Sequence, residues 1–194
     1  NPMDNSHVEQ KAALRKHIRE LLDAMPPATR EVASAAIRAQ LTNHPLWQSA
    51  VGVLLFASLP GEPDIRPVLN TSVAAGKTVT LPRFNTTRQV YEAALIRNPE
   101  RDLVKGKFAI AEPSDQCAVI PLNRLDLVLV PGVAFDWHGR RLGRGKGFYD
   151  RLLAEVSGKT CGVAFDEQMV EAIPVEPHDV RLNCILTPSR WLEV

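Results

Sequence analysis

Between Phe135 and Arg151 the chain reads Phe-Asp-Trp-His-Gly-Arg-Arg-Leu-Gly-Arg-Gly-Lys-Gly-Phe-Tyr-Asp-Arg. Gly139, Gly143, Gly145 and Gly147 leave the backbone bare and free to adopt positive φ. Arg140, Arg141, Arg144, Lys146 and Arg151 add closely spaced cations. Successive exposed amides in such a loop form a concave nest for anions, and a helix starting near Gly147 would add its own dipole. Many N–H donors, local positive charge and little steric bulk are what a polyphosphate requires. Asp150 adds a carboxylate, a hard oxygen ligand for the magnesium ion that accompanies ATP. Two familiar phosphate loops are excluded by spacing. A Walker A loop, G-x-x-x-x-G-K with Ser or Thr following, needs glycine at 140 and finds Arg140, and Gly147 follows the lysine. A Rossmann fingerprint read from Gly143 needs glycine at 148 and finds Phe148. By composition and spacing alone, a basic turn that only solubilises the surface remains the alternative.

The rest of the chain must position this loop. Leu14, Ile18, Leu21, Leu22 and Met25 recur at helical spacing and predict an amphipathic helix over 8–25, stopped by Pro26-Pro27. A second helix is predicted over 29–41, with Thr29 as N-cap and His44-Pro45 ending the segment. Val51–Phe56 is a continuous apolar run that suits a strand buried on both faces of a parallel sheet. Asp64 is expected to cap a helix over 65–75 that Gly76 ends. Strands are predicted at 78–81, 90–96, 127–130, 161–165 and 184–186, a helix at 147–156, and an irregular excursion over 97–125. There is no internal repeat, low-complexity tract or linker. Strands alternating with helices predict an α/β domain with a mostly parallel sheet. Ligands of such sheets bind beyond the carboxyl ends of the strands, so the loops after Phe56, Leu81, Val130 and Phe165 are where chemistry is expected.

Bulk properties narrow the function classes. The 194 residues are 45% hydrophobic and 23% charged, the composition of a folded soluble domain. A net charge of +1 offers nothing to recruit nucleic acid or an anionic membrane surface. The longest apolar stretch, Val51–Leu59, is interrupted by Gly52 and Ser58 and falls far short of the ~20 residues of a membrane helix. Asn1 and Pro2 before Met3 read as an expression scar. Cys117, Cys161 and Cys184 are odd in number and widely spaced, so they read as buried thiols in a reducing cytoplasm rather than as a zinc site.

The segment Pro131-Gly-Val-Ala-Phe-Asp136, Gly139 and Arg141-Leu-Gly-Arg-Gly-Lys-Gly-Phe-Tyr-Asp150 resembles the hallmark of the 5-formyltetrahydrofolate cyclo-ligase family. Weaker similarity extends over almost the whole chain. The resemblance implies a single three-layer α/β domain over 1–194, with a central, mostly parallel sheet flanked by helices. It assigns ATP to Arg141, Leu142, Gly143, Arg144, Gly145, Lys146, Gly147, Phe148 and Tyr149. Lys11-Ala-Ala-Leu-Arg15 is similar to a family opening whose two cations reach the nucleotide. Their four-residue spacing puts Lys11 and Arg15 on one helical face, which on its own is equally a solvated basic face. Leu59-Pro-Gly-Glu62 resembles a loop whose glutamate binds the pterin, where a carboxylate can accept paired N–H donors. Ala57, Arg83, Phe84 and Phe108 fall at folate-side positions, as do residues 144–148 of the loop. Unaided, Glu62 would be a surface acid and Phe108 a core ring. Pro177-His178-Asp179 resembles a segment giving a second magnesium carboxylate, so Asp150 and Asp179 are the expected metal pair. The family often carries Asp where this chain has Asn183, and Tyr where it has Phe148.

The activity implied is conversion of 5-formyltetrahydrofolate and ATP to 5,10-methenyltetrahydrofolate, ADP and phosphate, with Lys146 and Arg144 on phosphoryl charge. A cytoplasmic monomer acting on small molecules is the expectation. Two other readings share the features: a non-catalytic nucleotide or folate regulator, and a sugar-phosphate isomerase or CoA-transferase-like enzyme of similar architecture.

Overall fold

The computed structural model describes residues 2–106 and 110–194. Phe108 lies outside the described residues. The chain begins with α1 (Pro2–Asp23), α2 (Pro27–Asn43) and α3 (Pro45–Ser49), followed by β1 (Gly52–Leu54) and α4 (Arg66–Ala74). Next come β2 (Thr78–Asn85), β3 (Val90–Ile96), α5 (Pro99–Asp102), β4 (Leu103–Lys105), β5 (Ala111–Pro113), β6 (Val119–Ile120) and β7 (Leu127–Val130). The C-terminal part holds β8 (Ala134–Asp136), β9 (Arg141–Leu142), α6 (Phe148–Ala154), β10 (Lys159–Val163), β11 (Met169–Val170), β12 (Cys184–Leu186) and β13 (Trp191–Glu193).

The main sheet runs in the order β13-β12-β10-β7-β1-β2-β3-β6. Its centre, from β12 to β2, is parallel, and the edges β13, β3 and β6 pair antiparallel to their neighbours. The apolar strands alternate between two covered faces, as a sheet between helical layers must. Val53, Leu127, Leu129, Cys161 and Leu186 face the side where Ile37, Leu41, Trp47, Val68 and Leu69 of α2, α3 and α4 pack. Leu54, Val128, Val130 and Ile185 face Leu152 and Leu153 of α6. All three cysteines are buried free thiols, as expected.

Several local expectations are corrected. Thr29 is not the N-cap of α2: the helix starts at Pro27, whose missing N–H costs nothing in the first turn, after an extended Pro26. His44-Pro45 ends α2, as expected, and also opens the next helix. His44 Nδ1 accepts the Leu46 N–H at 3.1 Å and starts α3. Ile65, not Asp64, is the N-cap of α4, although Asp64 Oδ1 accepts the Arg66 N–H at 3.0 Å. The strand predicted at 78–81 continues to Asn85 through Pro82. Thr78 and Thr80 both turn their backbone toward β1, so Pro82, two further on, directs its missing N–H to the side where β1 has already ended. The irregular excursion over 97–125 contains α5, β4, β5 and β6. The loop after Val130 is not plain loop: β8 and β9 form a small sheet with β11.

Candidate active site

The glycine-rich segment leaves the carboxyl end of β7, and the β8–β9 hairpin fixes its start. Asp136 is fully buried at the end of β8. Its Oδ1 accepts the His138 and Arg140 N–H groups at 2.9 and 3.0 Å, and its Oδ2 accepts the Ile173 N–H at 3.0 Å. One carboxylate thus closes the hairpin turn and pins it to the segment after β11. Buried Gln168 adds a second tie: Oε1 accepts the Phe165 N–H at 2.8 Å, and Nε2 donates to the Gly132 carbonyl at 2.9 Å. Ile18 of α1 packs with Ala134, Leu142 and Ile173, seating α1 against this hairpin.

Beyond β9 the backbone turns through Gly145 at φ +110° and Gly147 at φ +68°, conformations that a Cβ would strain. Of the four glycines free to adopt positive φ, Gly139 also does so and Gly143 does not. Arg15 Nε donates to the Gly143 carbonyl at 2.9 Å, bringing α1 onto the loop. Arg144, Gly145 and Lys146 are exposed, and Leu142 is buried beneath them. The helix that follows, α6, has seven residues rather than the span 147–156, so its dipole is a minor contribution beside the loop amides and cations.

Asp150 and Asp179, far apart in sequence, come together with His178, each offering a ligand atom within 4.8 Å of the others. Asp179 Oδ2 accepts the Glu176 N–H at 2.8 Å, which fixes the segment locally. Arg141 reaches Asp150 with Nη2 to Oδ1 at 3.7 Å, donates to the Pro131 carbonyl at 3.1 Å and lies over the Tyr149 ring at 5.3 Å. Burial pushes the Arg141 pKa down, opposed by Asp150, Tyr149 and Asp179; its Nε is buried with no partner among the described residues. Lys11 Nζ lies 3.5 Å from Glu176 Oε1, beside the same cluster. Two carboxylates with solvent access suit an oxygen-preferring divalent ion that completes its shell with water and phosphate. The imidazole does not suit magnesium and pairs instead with Glu176 at 3.2 Å.

Glu62 closes the loop after β1, where Oε1 accepts the Leu59 N–H at 2.7 Å. Burial raises its pKa, opposed by that N–H and by the nearby Arg144 charge, which ties the β1 loop to the glycine-rich loop. Ala57 sits half-buried at the start of the same loop. Phe84 and Phe148 are 4.9 Å apart between ring centroids, and Tyr91 meets Phe84, Phe148 and Tyr149 at 5.5, 5.8 and 5.6 Å. Tyr149 is largely buried, and desolvation raises its pKa above the ordinary phenol range.

The structure therefore brings together Lys11, Arg15, 141–150, Asp179, Glu62 and Phe84. Arg83 is placed otherwise. It binds Glu92 at 3.0 Å and donates to the Ser114 and Cys117 carbonyls at 2.6 and 3.0 Å, tying β2 to β3 and to the segment after β5. Asn183 lies before β12, at the opposite end of the sheet from the loop. Its Oδ1 accepts the Thr160 N–H at 2.8 Å, a structural role that joins β12 to β10. Sequence reading missed Tyr91, which nothing in the pattern of β3 distinguishes from a core ring. It also gave no role to Glu176 or His178, although His178 stands inside the segment singled out at 177–179.

The sequence model of the 5-formyltetrahydrofolate cyclo-ligase family matches residues 7–188. The chain belongs to that family. Among its relatives, the 5-formyltetrahydrofolate cyclo-ligase of Escherichia coli K12 is 36% identical over 180 residues, covering 91% of this chain and 99% of the relative. That of Mycolicibacterium smegmatis is 32% identical over 187 residues, covering 94% and 95%. The NMR structure of Aquifex aeolicus 5,10-methenyltetrahydrofolate synthetase superposes with a TM-score of 0.85 at 30% identity, covering 94% of this chain and 92% of that one. The mixed α/β architecture with its large, mostly parallel sheet is thus that of a cyclo-ligase family member. No helix among the described residues is long and apolar enough to cross a membrane.

Proposed function

We propose that the protein catalyses ATP-dependent cyclisation of 5-formyltetrahydrofolate to 5,10-methenyltetrahydrofolate, releasing ADP and phosphate. The observation that carries this reading is one site in which the glycine-rich loop, the Asp150–Asp179 pair and half-buried Glu62 converge, in a chain matching the cyclo-ligase family over 7–188. An N-formyl group is amide-like, a poor electrophile whose oxygen is a poor leaving group. Transfer of the γ-phosphoryl group to that oxygen makes it a leaving group; N10 then attacks the formyl carbon, closes the ring, and phosphate departs.

Such a reaction asks the protein for alignment and for stabilisation of charge on the transferring group. The amides of 143–147 and the exposed cations Arg144 and Lys146 receive the phosphates, with Lys11, Arg15 and Arg141 flanking them. Asp150 and Asp179 would hold a magnesium ion, which supplies neutralisation of phosphate charge when bound. Glu62 accepts N–H donors of the pterin, and Ala57, Phe84 and Phe148 form the wall beside it. Arg83 acts on substrate only indirectly in this reading, by holding β2 and hence Phe84. The partners are small molecules.

The test is ATP-dependent appearance of the methenyl chromophore from 5-formyltetrahydrofolate. Substrate labelled with heavy oxygen in the formyl group must then yield about one label per phosphate released, since phosphorylation makes that oxygen the leaving atom. Unlabelled phosphate from verified, non-exchanged substrate would refute formyl activation.

A further inference from the structure

A cavity of about 140 Å³ opens between the tip of the β2–β3 hairpin and α6, beside the aromatic cluster. Tyr91 is the shared wall: it lines the cavity and also contacts the rings of Phe84 and Phe148. Val119, Ile120 and Leu122 make one side apolar, while Arg88 and Arg151 stand in its lining.

Both arginines are held in place by the local fold. Asn85 Oδ1 accepts the Thr87 and Arg88 N–H groups at 3.1 and 3.0 Å, fixing the hairpin tip that carries Arg88. Gln89 completes the turn at φ +56°, an uncommon conformation for a residue with a side chain. Arg151 lies over the Phe148 ring at 4.9 Å and reaches the Gln89 carbonyl at 3.5 Å. That contact is longer than the ~2.7–2.9 Å of a charge-assisted hydrogen bond, so the guanidinium keeps donors for another acceptor. Two carboxylates also line the cavity. Glu92 is occupied by Arg83 at 3.0 Å, and Glu155 lies at the end of α6. The two guanidiniums therefore leave the cavity a net attraction for anions.

We infer that this cavity receives the glutamyl tail of the folate substrate, with Arg88 and Arg151 pairing its carboxylates. The inference rests on the proposed cyclo-ligase reading and extends it. A reduced folate is a flat heteroaromatic and aminobenzoyl body ending in a glutamate with two carboxylates. The protein offers the same order: Glu62 and the rings first, then Arg151 stacked over Phe148, with Arg88 lining the same apolar-walled cavity. Planar guanidiniums suit carboxylates by bidentate geometry.

The experiment compares the parent enzyme with Arg88→Gln/Arg151→Gln on two substrates. One is 5-formyltetrahydrofolate; the other is its truncated analogue ending in a neutral aminobenzoyl amide. The double variant is expected to raise KM for the glutamate-bearing substrate about fivefold to tenfold, as two partly solvated ion pairs would give, and to leave KM for the truncated analogue and for ATP within twofold. The KM difference should shrink as salt is raised, and Arg88→Lys/Arg151→Lys should restore part of it. An equal rise for both folates, or a rise for ATP alone, would overturn the tail site. So would an unchanged KM for the glutamate-bearing substrate in an active double variant, which leaves the cyclisation reading standing. A parent enzyme that forms no methenyl product from ATP and 5-formyltetrahydrofolate would remove both.

Discussion

Asp136→Asn removes a charge and turns one of two acceptor oxygens into a donor. The carboxylate is fully buried and accepts three backbone N–H groups, those of His138, Arg140 and Ile173. Asparagine can keep its carbonyl toward His138 and Arg140, where both contacts share Oδ1. Its amide then faces the Ile173 N–H, donor against donor. Ile173 is itself buried at 3% exposure, so water cannot easily replace the lost acceptor. An orphaned buried donor costs about 1–3 kcal/mol, and the opposed amide adds repulsion, so a loss of about 2–3 kcal/mol is expected. For a chain of this length each kcal/mol moves the melting midpoint by roughly 2–4 °C, which places the variant about 4–12 °C below the parent. The same loss frees the β8–β9 turn from the segment that carries Glu176 and Asp179, so KM for ATP should rise with it. The assays are thermal and denaturant unfolding with the slope compared, and initial rates against ATP. A midpoint within 1 °C of the parent at unchanged slope would refute the reasoning, because the three-way anchor would then carry no stability.

Lys146→Ala should lower kcat about 10²–10³-fold, as expected when one contact to transition-state charge is removed; purified variant with parental turnover would take Lys146 out of the chemistry. Asp150→Asn should raise the magnesium concentration needed for half-maximal rate, since it removes a hard anionic ligand; overlaid titrations would remove Asp150 from the metal pair. Glu62→Gln should weaken 5-formyltetrahydrofolate binding more than ATP binding, because Gln loses the charge assistance; equal losses would mean a general structural role. The same variant should become progressively more stable than the ligand-free parent as pH rises. Burial raises the Glu62 pKa above 4.5, so its contribution is complete below 4.5 and is lost as pH rises through the raised value, whereas Gln stays neutral throughout. Melting curves that remain parallel from pH 4 to 8 would contradict this.

The sheet was legible because many of its strands are short, mostly apolar runs: 127–130, 90–96 and 184–186 appear as read. The β8–β9 hairpin was not, because its residues were claimed by the stronger signal of glycines and arginines around them. The extent of β2 was hidden by Pro82, which a strand reading rejects unless the end of β1 is already known. Within the site, the loop and its carboxylate could be read locally, whereas the meeting of Asp150 with Asp179 is set by topology and reached the sequence reading only through family resemblance. Arg83 illustrates the reverse. A cation at a folate-side position turns out to hold strands together, a distinction carried by Glu92 and two carbonyls that no spacing rule links to it.

Arg15 donates to the Gly143 carbonyl and Lys11 pairs with Glu176, so the first helix is fastened at both points to the segments proposed to cradle the phosphates. Occupancy of the site and docking of α1 are then thermodynamically linked: a nucleotide that orders the loop also clamps the helix. Amide hydrogen exchange along α1 becomes a reporter of nucleotide binding at a loop 128 residues away in sequence, with protection expected to rise when ATP is added. In the proposed reading the amino-terminal helix is part of the ATP grip, and a bulky fusion packed against it is expected to compete with substrate rather than sit idle.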